Sequence, residues 1–123
     1  MTNRELLNDL GYDDVFGEEF LVKEWWLIKL WLDDVRPAPE GYVWCRSVYT
    51  AVTEIAKHSD KIELIDIDHD AGEFARYGGD YIVVLEFLEY NKFNYPIHIH
   101  SMNPVGVQNM RRIIERNGWK EIK

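Results

Sequence analysis

Three short polar clusters carry the side chains best suited to chemistry: Asp33-Asp34, Asp68-His69-Asp70 and His100-Ser101-Met102-Asn103. Two adjacent carboxylates repel each other unless a cation or a base neutralises them. Mg²⁺ takes oxygen ligands, often one or two carboxylates completed by water. Asp33, Asp34 and Asp68 are therefore candidate ligands for Mg²⁺ or Mn²⁺. The plainer reading of Asp33-Asp34 is a pair that caps the turn after a strand. In the second cluster, alternation along an extended segment places Asp66, Asp68 and Asp70 on one side and His69 on the other. One of these carboxylates could ligate metal or act as a nucleophile. His69 and His100 are candidate general acids or bases, because imidazole titrates near neutrality. His98 reads instead as a core histidine with a satisfied hydrogen bond.

Ser101 and Asn103 precede a predicted helix, whose free N–H groups and dipole favour an anion. Ser101 could reach a phosphate oxygen, although both residues could equally be simple caps. Arg36 and Arg46 are candidate phosphate clamps, and lone arginines are also ordinary surface residues. Zinc fits less well, since no His-x-x-x-His pair lies on a predicted helix and Cys45 is distant in sequence. Gly78-Gly79-Asp80 lacks the spacing of a phosphate-binding loop, and Asp80 reads as a helix N-cap. A Ser/His/Asp arrangement has no nucleophile elbow to support it.

The elements that must position these clusters alternate along the chain. Trp25 to Leu32 is a dense apolar run of strand length ending at Asp33. Val35 to Gly41, with two prolines and a glycine, is a loop, and Tyr42 to Cys45 a second short strand. After Ser47, a plausible N-cap, Val48, Ala51, Val52, Ile55 and Ala56 form one helical face. Ile62 to Ile67 is a strand, 71–79 a loop, and Tyr81, Val84, Leu85 and Leu88 mark another helix. Pro96 to His100 is a strand. Asn103-Pro104 opens a helix lined by Val107, Met110, Ile113 and Ile114, which Gly118 ends. Trp119 to Ile122 closes as a strand. Such alternation predicts a mostly parallel α/β sheet of about five strands with flanking helices. Ligands of such sheets bind beyond the carboxyl ends of the strands, where all three clusters fall.

The chain has 123 residues, enough for one domain, and 46% hydrophobic residues, enough for a core. A net charge of -8 argues against long DNA as a partner but admits a small phosphorylated ligand or an RNA end through a bound cation. The lone Cys45 cannot form an internal disulfide, and neither a leader-like segment nor a membrane span is evident. The expectation is a cytoplasmic protein. Residues 1–24 differ in character and read as an added arm or lid, with a short helix at Arg4 to Leu10 and an acidic loop at Gly11 to Glu19. The oligomeric state is not set by the sequence.

Leu32-Asp33-Asp34-Val35-Arg36-Pro37 with Pro39 and Gly41, then Asp68-His69-Asp70-Ala71-Gly72, then His100-Ser101-Met102-Asn103-Pro104-Val105-Gly106, resemble the cyclic-phosphate-processing receiver-like domains over roughly residues 28–123. The resemblance implies a three-layer, flavodoxin- or receiver-like fold with an acidic metal site. Asp33, Asp34, Asp68 and Ser101 are similar in placement to the acidic pair, phosphoacceptor and hydroxyl residue of response-regulator receivers. It also implies a metal-dependent phosphoesterase acting on cyclic phosphates of nucleotides or RNA ends. The chain departs from ordinary receivers in lacking a helix between its first two strands, a final helix and the Lys-Pro setting, which argues against phosphotransfer signalling. Two other readings stand beside the enzyme: a non-catalytic module binding a cation, phospho-ligand or protein partner, and an acidic interaction protein whose charge is its function.

Overall fold

In the computed structural model, residues 27–123 are described. The arm at 1–24, with its predicted helix, and the start of the first predicted strand at Trp25 and Trp26 lie outside them. The strands are β1 (Ile28–Leu32), β2 (Tyr42–Cys45), β3 (Ile62–Ile67), β4 (Ile97–Ile99) and β5 (Glu121–Ile122). The helices are α1 (Val48–Lys57), α2 (Ile82–Asn91) and α3 (Pro104–Asn117), and a 3₁₀ helix runs over Gly72–Tyr77. Every neighbouring strand pair is parallel, and the order is β2-β1-β3-β4-β5. That order is the flavodoxin-like one, whose direction of winding reverses between β1 and β3.

Winding explains which face is covered. The connections β2→β3, β3→β4 and β4→β5 all step the same way across the sheet, so right-handed crossovers put their helices on one face. There α2 touches both α1 and α3. Leu30, Leu32, Cys45, Ile65, Ile67 and Ile97, fully buried, meet Ala51, Ile55, Tyr81, Val84, Leu85, Leu88 and Met110. The connection β1→β2 steps the other way, and at residues 33–41 it is a proline-bearing loop with no helix. Among the described residues, no helix therefore lies over the second face. Its register partners Lys29–Tyr42, Trp31–Trp44 and Asp66–His98 line that face, and all but Asp66 remain partly accessible.

The helix boundaries follow local chemistry. Ser47 Oγ accepts from Thr50 N at the start of α1. Val48, Ala51 and Ile55 are buried as the spacing predicts, while Ala56 lies exposed in the last turn. Asn103 caps α3 through Gly106 N, with Pro104 at the first helical position, and Gly118 closes it at φ +68°. Two expectations are corrected. Residues 71–79, predicted as a loop, contain the 3₁₀ helix, too short to leave a periodic apolar signal. Asp80 is not the N-cap of α2; Tyr81 holds that position, and Asp80 Oδ1 instead accepts from Ala71 N at 2.9 Å, tying down that segment. No helix among the described residues is long and apolar enough to cross a membrane.

Candidate functional site at the carboxyl edge of the sheet

The ends of β1, β3 and β4 meet at the point where the winding reverses. Asp33 follows β1 and is buried to 1% exposure. Its two oxygens do different work. Oδ1 accepts from the backbone N–H groups of Val35 and Arg36, at 2.9 and 2.8 Å, and so caps the turn. Oδ2 faces the pocket, 3.0 Å from His100 Nε2 and 3.4 Å from the Arg36 guanidinium. Indole N–H groups hold this loop from the uncovered face of the sheet: Trp44 donates to Asp33 O and Trp31 to Arg36 O.

His100 is clasped by two acids. Its Nδ1 donates to Asp66 Oδ1 at 2.6 Å while its Nε2 faces Asp33. Carboxylates only accept, so a ring satisfied on both sides carries both protons. Burial alone would lower the His100 pKa, but the hydrogen bonds and charges of Asp66 and Asp33 outweigh it and raise it above the usual imidazole value. The mirror effect acts on the acids. Burial would raise Asp66, yet His100 and His98 hold it below the carboxylate range. Burial would likewise raise Asp33, which the Arg36 and Val35 N–H groups and His100 hold down. The Trp31 ring stacks flat on His100, with centroids 3.9 Å apart and planes 4° apart, an arrangement that favours a cationic ring.

Asp68, after β3, hydrogen-bonds the N–H of His69 and lies 3.8 Å from Arg36. Ligand atoms of Asp33, Asp68 and His100 all lie within 4.8 Å of one another. Asp34 falls outside that group; its carboxylate packs on Gly72, where a Cβ would stand 2.2 Å from Oδ2. His69 forms its own pair, Nδ1 to Asp70 Oδ1 at 2.8 Å, and its ring rests on Gly106 in the first turn of α3. His69, Asp70 and Asp80 make a second group of metal-capable atoms within 4.8 Å. Of the two polar residues before α3, Asn103 is the cap, its Oδ1 accepting from Gly106 N, while Ser101 Oγ accepts from Asn103 N and closes the turn ahead of it. The Asn103 amide also reaches Asp70 at 3.4 Å. Arg36 borders the pocket. Arg46 lies to one side, donating to Asp34 O and stacked between Trp44 and Phe74.

Sequence reasoning gave Asp66 only a shared candidacy as metal ligand or nucleophile, read His98 as a core histidine, and left Trp31 without a role. His98 does hold a hydrogen bond, 2.8 Å to Asp66, but from the uncovered face rather than the core. The signal was Asp66, one of two acids inside the otherwise apolar strand Ile62 to Ile67. Its partners became visible only with the β3–β4 register.

The contact between His69 and α3 makes one prediction. In Gly106→Ala the new Cβ would meet His69 Cγ at 2.4 Å. Alanine gains up to about 1 kcal/mol of helix propensity over glycine. The overpacking costs about 1–3 kcal/mol, so urea denaturation should find the variant less stable than wild type, or at best equal to it.

An all-parallel sheet in the order 2-1-3-4-5, with acids after β1 and β3 at the reversal point, defines a receiver-like α/β domain. The chain matches the cyclic-phosphate processing receiver domain over residues 28–116, and it belongs to that family. No curated protein and no solved structure matches it.

Proposed function

We propose that the chain is a metal-assisted phosphoesterase that opens cyclic phosphates of nucleotides or RNA ends. The observation that carries the reading is the convergence of Asp33, Asp68 and His100 within 4.8 Å, with Arg36 at their rim. The donor set suits a divalent cation, since the carboxylates of Asp33 and Asp68 favour Mg²⁺ or Mn²⁺. Asp33 and Asp68 would hold the ion, with Asp34 nearest among the other acids in sequence. When bound, the ion would polarise the phosphoryl group. Arg36 would grip a phosphate oxygen, with Ser101 and the N-terminus of α3 at Asn103 as further donors. His100, held cationic by Asp66 and Asp33, is suited to donate a proton to the leaving oxygen. His69, oriented by Asp70, is suited to take one from the attacking water. Arg46 would act beside the pocket rather than in it.

A second reading has its own support. Arg36 and His100 already place positive charge against Asp33 and Asp68. A pocket balanced in this way could grip a phospho-ligand without metal and without turnover, as a binding module would.

One assay separates the two. Hydrolysis of 2′,3′-cyclic nucleotides and cyclic-phosphate RNA ends is measured with Mg²⁺ or Mn²⁺ and with chelator, with folded Asp68→Ala alongside wild type. The expected result is metal-dependent turnover that chelator and Asp68→Ala both abolish. Absence of turnover across the panel, in protein that binds the same compounds, would leave the binding module.

A further inference from the structure

Beside the acidic pocket lies a cleft that the phosphate chemistry does not use. It has a volume of about 300 Å³ and is lined by Arg46, Ser47, Tyr49, Thr50, Phe74 and Tyr77. Its walls come from the first turn of α1 and from the 3₁₀ helix, which the Asp80–Ala71 hydrogen bond holds in place. Phe74 and Tyr77 lie with ring centroids 6.1 Å apart, and Tyr49 and Tyr77 remain 71% and 47% exposed. The cleft thus joins aromatic rings, with the Arg46 guanidinium over Phe74 and that of Arg76 over Tyr77, to the hydroxyl groups of Ser47 and Thr50, which bond each other. A small planar heterocycle matches this lining, with a flat face for the rings and a polar edge for the Arg46 guanidinium.

Position strengthens the match. The Arg46 Nε donates to Asp34 O at 3.0 Å, while its guanidinium carbon lies 4.8 Å over the Phe74 ring. One arginine side chain thus spans from the acidic pair to the aromatic wall. Gly72, at the start of the 3₁₀ helix, abuts the Asp34 carboxylate. The cleft therefore meets the pocket through Asp34, the chain neighbour of Asp33, whose own carboxylate lies outside the pocket.

We infer that the Phe74–Tyr77–Tyr49 cleft is a nucleobase platform, so that the ligand is a nucleoside phosphate whose base stacks there while its phosphate reaches the acidic pocket. This rests on the phosphate-site reading above but is tested apart from it. The ribose lies between the two, along Arg46. Stacking accepts any base, because every base offers a π face, so the platform selects nucleosides over simple diols without choosing among bases.

The test uses the full chain and compares kcat/KM for 2′,3′-cyclic nucleotides with that for a base-less cyclic phosphate of a simple diol, in wild type, Phe74→Leu, Phe74→Trp and Tyr77→Ala. Wild type should prefer the nucleotide by about tenfold or more, the size expected for one stacked base. Phe74→Leu and Tyr77→Ala should erase most of that ratio through KM, and Phe74→Trp should restore it. An equal ratio in all four proteins would overturn the platform and leave the phosphate reading standing. If no compound turns over, calorimetric titration with the 2′,3′-cyclic nucleotide replaces kinetics. Binding weakened about tenfold in Phe74→Leu would support the platform without the enzyme, whereas no binding, or binding indifferent to both variants, would overturn it. Where the variants support the platform, a mononucleotide bound as tightly as a short RNA with the same end assigns the site to free nucleotides, and preference for the RNA assigns it to RNA ends.

Discussion

His100→Ala is expected to lower the free energy of unfolding by about 3 kcal/mol or more and to abolish turnover. The imidazole bridges two carboxylates whose side chains are only 1% and 9% exposed. Removing one partner of a buried ion pair typically costs ~3–5 kcal/mol, because the charge left behind has lost its compensation. The loss should fall toward the lower end, since Asp33 keeps two backbone N–H donors and Asp66 keeps His98. The same linkage makes wild-type stability depend on pH with a definite sign. His100 has a raised pKa when folded, so its contribution is complete below the unfolded value of about 6.5 and fades as pH rises through the folded one. Asp33 and Asp66 have lowered values, so theirs is complete above the unfolded value of about 3.9 and fades as pH falls through the folded one. The cluster therefore stabilises most between about pH 4 and 6.5. Urea midpoints across pH, for wild type and His100→Gln, check this: the alkaline decline should be shallower in the variant, and parallel curves would refute the ion-pair account.

His69→Gln is expected to lower kcat by about 10²–10⁴, the usual contribution of a positioned proton-transfer group, with much less effect on stability. Its ring is partnered by Asp70, whose side chain is 56% exposed, so no deeply buried charge is stranded by the change. Asp70→Asn should cost less than His69→Gln, since it disturbs the orientation of the ring but keeps the base. The contrast with His100 is the informative part. If His69 takes a proton from water and His100 donates one to the leaving oxygen, His69→Gln should lower kcat yet keep the alkaline decline that His100 sets. An undiminished kcat in His69→Gln would reassign the base.

Much of this molecule is legible in its chain. The Val48, Ala51 and Ile55 stripe, the Asn103-Pro104 start and the Gly118 stop mark α1 and α3 because caps and period act within a turn or two of chain. Strands β2 and β3 were bounded correctly, since short apolar runs between turn residues need no long-range information. The same locality explains the misses. A 3₁₀ helix at Gly72–Tyr77 has too few turns to show a period, and Asp80 was drawn to Ala71 rather than to its own helix.

The three clusters and their edge were determined by the order of elements alone, because parallel strands all deliver their carboxyl ends to one side. Pairings between clusters were not, since register and winding are tertiary quantities. Only the folded sheet sets Asp66 opposite His98 and places His100 between Asp66 and Asp33. Only the β1→β2 loop, crossing on the side away from the helices, leaves Trp31 to lie flat on that ring. Local patterns record what each segment does by itself. Which acid meets which base depends on side chains as far apart in sequence as Asp33 and His100, and that information first exists when the strands pair.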